Sequence, residues 1–118
     1  MEQSSQILPE ILKKNLLKIQ DLCRRHKVKR LWAFGSVLSD AFGPDSDVDL
    51  LYELDESDIT DDEYLANWDS FFVELFQIFS KKIDLVHYPS LKNPYFIEDV
   101  ENTKVLLYGQ KSDRLLAE

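Results

Sequence analysis

Apolar spacing along this chain alternates between a helical and a strand period, which limits it to a mixed α/β architecture built on one small sheet. Leu8, Ile11, Leu12, Leu16, Ile19, Leu22 and Cys23 recur at helical spacing with lysines between them, and Pro9 suits a first turn. A helix is therefore predicted over 8–26. "RLWAFG" reads as a short strand ending at Gly35, and "SVLSDA" as a two-turn helix before the Gly43-Pro44 turn. "DVDLLYEL" is the second strand. The acidic loop "DESDITDDE" then leads into a helix predicted over 61–80, opened by a capping box between Thr60 and Glu63. That helix gathers Leu65, Trp68, Phe71, Phe72, Leu75, Phe76, Ile78 and Phe79 on one broad side. This is the pattern of a main core helix; the alternative is a helix whose rim also contacts another subunit. "KKIDLVHY" is a third strand, a short helix follows Pro94, and "KVLLYG" closes the order α-β-α-β-α-β-α-β.

No repeat, linker or low-complexity tract interrupts that order, so a single domain over 1–118 is expected: α/β, with a small mixed β-sheet flanked by helices. No apolar window is long enough to span a membrane, and "MEQSSQILPEILKKN" lacks the basic start and apolar core of a signal peptide. The lone Cys23 cannot form an internal disulfide or hold zinc by itself. A cytoplasmic setting is the expectation. Cys23 reads as a small buried hydrophobe, and His26 and His87 as incidental surface residues.

Charge is unevenly spread. The chain carries a net −8, yet eight of its 14 Lys+Arg residues lie between Lys13 and Arg30 against one acid, Asp21. A general nucleic-acid binder presents a broad basic surface, whereas this chain has one basic helix in an acidic background. General nucleic-acid binding is not expected.

Within that acidic background three aspartates stand at alternate positions, Asp45, Asp47 and Asp49, directly before Leu50-Leu51. In an extended strand Asp47 and Asp49 point to the same side, about 7 Å apart at Cα. Left alone, such carboxylates repel each other and hold their protons more tightly. Oxygen ligands with no neighbouring His or Cys select a hard cation, and Mg²⁺ characteristically takes one or two carboxylates plus substrate phosphates. Gly35-Ser36 offers a complementary part, because a glycine at a strand end lets the backbone approach a ligand closely and Ser36 adds a hydroxyl donor. Asp84, in the apolar strand "KIDLV", is the candidate third acid if its strand lies beside that of Asp47 and Asp49.

These residues resemble the minimal nucleotidyltransferase branch of the DNA polymerase β-like nucleotidyltransferase superfamily. The branch carries a Gly-Ser, about ten residues, then Asp-x-Asp, and later a third acid. Here it stands as "FGSVLSDAFGPDSDVDLLYEL" followed by "KIDLV". The resemblance implies a polymerase β-like fold in which Gly35 and Ser36 bind nucleotide phosphates. It implies that Asp47, Asp49 and Asp84 bind two Mg²⁺ ions, with Asp84 as general base. The implied reaction is AMP transfer from ATP to a tyrosine hydroxyl, with release of pyrophosphate. The implied partner is a HEPN-type ribonuclease toxin, neutralised by this chain as its antitoxin, in a hetero-oligomer. The alternative is a non-catalytic antitoxin that inhibits by binding alone.

Many relatives carry Arg shortly after Gly-Ser, where this chain has Ser39 and Asp40. Positive charge for a triphosphate is then expected from the basic first helix or from the partner. Two rival readings fail on single residues. A calcium loop starting at Asp45 needs Gly at its sixth position and finds Leu50. An Asp-x-Asp phosphatase wants its first Asp directly after a buried strand, whereas "GPDS" precedes Asp47. Asp45 reads as a turn residue.

Overall fold

The computed structural model describes residues 8–40, 42–55 and 60–110. Four strands, β1 (Val28–Phe34), β2 (Val48–Leu54), β3 (Ile83–His87) and β4 (Val105–Tyr108), form one sheet in the order β3-β2-β1-β4. β1 is antiparallel to both β2 and β4, while β2 and β3 are parallel, so the sheet is mixed as expected. A parallel pair requires a crossover, which α3 (Asp61–Phe79) supplies.

Strand alternation sorts the side chains onto two faces. Leu31 and Ala33 of β1 and Val48, Leu50, Tyr52 and Leu54 of β2 join Ile19, Leu22, Phe71, Leu75 and Phe79 in the larger core. That core lies beneath α2 (Leu16–Arg25) and α3. Trp32, Phe34 and Leu51 face the other way and pack with Val100 of α4 (Pro94–Thr103). Both faces of the sheet are therefore covered, which explains why β2 reads as a nearly continuous apolar run.

The caps follow from sequence. The Thr60 hydroxyl accepts from the Glu63 N–H at 3.3 Å, and the Glu63 carboxylate accepts from the Thr60 N–H at 3.2 Å. Asp61, Asp62 and Glu63 add negative charge where the helix dipole is positive. At α4, the Asn93 side chain accepts from the N–H groups of Tyr95 and Phe96, and Pro94 takes the first helical position.

Three local expectations are corrected. The helix predicted over 8–26 is broken at Lys14–Asn15 into α1 (Glu10–Lys13) and α2. Asn15 is buried, and its amide donates to the Ile11 carbonyl at 2.8 Å, competing with the main-chain ladder. "SVLSDA" forms one 3₁₀ turn, Gly35–Leu38, in place of two α-turns. Both the N–H and the hydroxyl of Ser39 donate to the Ser36 carbonyl, at 2.9 and 3.0 Å, and close the turn there. Ala41 lies outside the described residues, as does the 56–59 portion of the acidic loop. His26 is buried rather than on the surface: its Nδ1 is 3.0 Å from the Leu22 carbonyl and its Nε2 3.1 Å from Ser70 Oγ. Cys23 is buried, as expected. Among the described residues no helix is long and apolar enough to cross a membrane.

Candidate active site

The parallel register of β2 and β3 sets Asp49 beside Asp84. Both alternate with residues of the larger core, so they share the α4 face with Leu51 and Val86. Asp47 immediately precedes β2 and has the same parity. Asp49 is half-buried, and its carboxyl is pushed above the usual carboxylate range, first by burial, then by the charge of Asp84, then by that of Asp47. Three carboxylates thus share one field at the start of two neighbouring strands. They do not close on one another: among the described residues no three acid, His or Cys side chains already form a metal cage. Asp84 is exposed and Asp47 half-buried, so the group opens outward.

Gly35 fits against this group from β1. Phe34 is the register partner of Asp49, and the chain turns sharply at Gly35, whose φ of +74° is left-handed. A β-carbon there would stand 2.4 Å from Asp49 Oδ2. Glycine is required twice, by backbone conformation and by the carboxylate above it. Ser36, half-buried, follows in the 3₁₀ turn beside the acids.

Positive charge comes from a place the sequence reading did not single out. The basic helix α2 packs into the core on the opposite face of the sheet from Asp49. Lys82 instead brings its Nζ to 4.0 Å from Asp47 Oδ2. The preceding Lys81 donates to the carbonyls of Gly43, Pro44 and Ser46 at 3.2, 2.6 and 3.4 Å, pinning the loop that delivers Asp47. The signal is visible only through register. Val48 pairs with Ile83, so the residues before each, Asp47 and Lys82, are brought side by side.

A family model described as "Polymerase beta, Nucleotidyltransferase" matches residues 17–113. This chain belongs to that nucleotidyltransferase family. The nucleotidyltransferase is 31% identical over 100 residues to a Methanocaldococcus jannaschii protein named "Putative protein adenylyltransferase MJ1379", covering 80% of this chain and 88% of the relative. Its fold matches a structure described as a "putative minimal nucleotidyltransferase", with a TM-score of 0.66 and 27% identity over 86% of this chain and 97% of that one. It also matches a chain of a toxin–antitoxin crystal structure with AMP-PNP, with a TM-score of 0.64 and 25% identity over 86% and 79% of the two chains.

As a candidate nucleotidyltransferase site, the donor set consists of carboxylate oxygens, with the Lys82 ammonium 4.0 Å from one of them, Asp47 Oδ2. Burial raises the Asp49 carboxyl first, and the negative charges of Asp84 and then Asp47 add to it. Such a set fits a hard divalent cation such as Mg²⁺, which would meet the aspartates on one side and phosphate oxygens on the other.

Proposed function

We propose that this nucleotidyltransferase acts as a single minimal domain in a cytoplasmic setting. It transfers AMP from ATP to a tyrosine hydroxyl of a helical HEPN-type ribonuclease toxin and thereby serves as its antitoxin. The observation that carries the catalytic part is the Asp49–Asp84 register pair with Gly35 closed against Asp49. The likeness to a protein named as an adenylyltransferase supports the choice of group, and the likeness to a toxin–antitoxin chain supports the partner.

Asp47, Asp49 and Asp84 are the residues that would hold Mg²⁺, as two ions, whose charge would offset that of the triphosphate and ease ionisation of the acceptor. Gly35 leaves the main chain free to approach the phosphates, and the Ser36 hydroxyl donates to one of them. Lys82 adds a positive charge at the open side of Asp47. Asp84, the most exposed of the three acids, takes the proton from the tyrosine hydroxyl. The phenolate oxygen attacks the α-phosphorus, a new P–O bond forms, and the bond to pyrophosphate breaks in line.

The test is to incubate the chain with α-labelled ATP, Mg²⁺ and its co-encoded helical partner, and to map label on the partner by mass spectrometry. Label on a tyrosine, lost in Asp49→Asn, is the expected result. A toxin that is neutralised equally by wild type and by Asp47→Ala/Asp49→Ala, with no label on either protein, would assign the binding-only antitoxin instead.

A further inference from the structure

Phe96 lies one helical turn before Val100, whose side chain is buried against the sheet, so the two residues occupy the same side of α4. A sheet-facing aromatic is ordinarily covered, yet Phe96 remains 36% exposed. Its ring meets that of Phe34 edge-on, with centroids 5.9 Å apart and planes at 79°. Phe34 is itself the register partner of Asp49, and the next residue is Gly35. Phe96 therefore stands one ring contact away from the residue that flanks the carboxylate, with much of its own surface open.

The backbone beneath it is fixed in advance. Pro94 sets the first helical dihedral, and the Asn93 side chain accepts from the N–H of Phe96 at 3.2 Å and from that of Tyr95 at 2.9 Å. A rigidly based, part-exposed aromatic beside a phosphate-and-metal site has the properties of a stacking platform. We infer that Phe96 stacks the nucleobase of the bound nucleotide, favouring purines because the larger ring system covers more of the phenyl face. This rests on the nucleotide reading of the aspartate site. It adds the part of the ligand that the acids, Gly35 and Ser36 do not address. Such a platform selects by ring area rather than by hydrogen bonding, so ATP and GTP should be held alike and CTP and UTP more weakly.

The experiment is calorimetric titration of the full chain with the Mg²⁺ complexes of ATP, CTP and inorganic tripolyphosphate. Wild type should bind ATP about tenfold or more tighter than tripolyphosphate. Phe96→Leu, which keeps an apolar side chain on the helix, should lose most of that difference while binding tripolyphosphate as wild type does. Phe96→Trp should restore it. Tyr95→Ala, at a neighbouring position that is 82% exposed, should leave all three affinities unchanged. Phe96→Leu binding ATP as tightly as wild type overturns the inference, and so does wild-type binding of tripolyphosphate with ATP no tighter. If wild type binds neither ATP nor tripolyphosphate, the nucleotide reading of the aspartates fails as well, which distinguishes the two failures.

Discussion

Gly35 and Asp49 are built around one another: a β-carbon on Gly35 would lie 2.4 Å from Asp49 Oδ2, in a backbone with φ of +74°. Gly35→Ala meets both obstacles at once. The left-handed backbone costs roughly 1–2 kcal/mol for a residue with a β-carbon. The carboxylate must also move, and a displacement on the order of 1 Å at a reacting centre can cost about 100-fold in rate. Urea denaturation should show Gly35→Ala destabilised by about 1–3 kcal/mol, with label transfer slowed about 100-fold or more. Wild-type values for both would show that the contact is dispensable.

Asp49 holds its proton above the ordinary carboxylate range because burial, then Asp84, then Asp47 oppose its ionisation. The folded-state value therefore exceeds the unfolded one. Stability is lost as pH rises from the unfolded value through the folded one, and the penalty is complete above that. In metal-free buffer at neutral pH, Asp49→Asn and Asp84→Asn should both melt above wild type, with the gap closing in acid. Adding Mg²⁺ should raise the wild-type Tm and leave that of Asp49→Asn unchanged. A thermal-shift series across pH, with and without Mg²⁺, checks both halves.

Lys81 and Lys82 are sequence neighbours with separable jobs. Lys82 is largely exposed and 4.0 Å from Asp47, so Lys82→Ala should weaken triphosphate binding modestly, by about threefold to tenfold, with less effect at high salt. Lys81 serves three loop carbonyls, so Lys81→Ala should lower stability by about 1 kcal/mol through the Asp47 loop. Titrations at two salt concentrations, paired with denaturation curves, distinguish the roles. Equal salt sensitivity in both variants would contradict this division.

Cys23 is fully buried, and burial pushes its thiol up to about 12. The thiolate that reacts with disulfide reagents is then scarce as well as inaccessible. Native protein at pH 8 should react with dithionitrobenzoate orders of magnitude more slowly than protein in denaturing urea. Rapid stoichiometric reaction of the native chain would mean that the helix α2 core opens readily.

The parts of this fold set by local chemistry were legible in the sequence. Thr60 and Glu63 announce the start of α3 because the capping box is a short-range device, and the Asp-x-Asp strand declares itself by its period and its apolar run. Other features depend on what packs where. Asn15 sits in a helical pattern, and its break follows from burial of an amide that then finds the Ile11 carbonyl. "SVLSDA" has helical residues but stops after one turn because Ser39 closes back on Ser36. His26 looks like a surface residue until Ser70, 44 positions away, is brought to its ring. The candidate site divides the same way: the common side of Asp47 and Asp49 follows from their spacing, whereas the placement of Lys82 beside Asp47 depends on a parallel register that neither strand states alone.

Among the described residues β3 is an edge of the sheet, and an edge strand can recruit another extended chain. Between Ile83 and Val86 its only polar residue is Asp84. The exposed charge that completes the acid group therefore also discourages edge-to-edge assembly. Replacing Asp84 with valine would therefore do two things at once, removing one acid of the candidate site and leaving an edge strand more prone to recruit another chain.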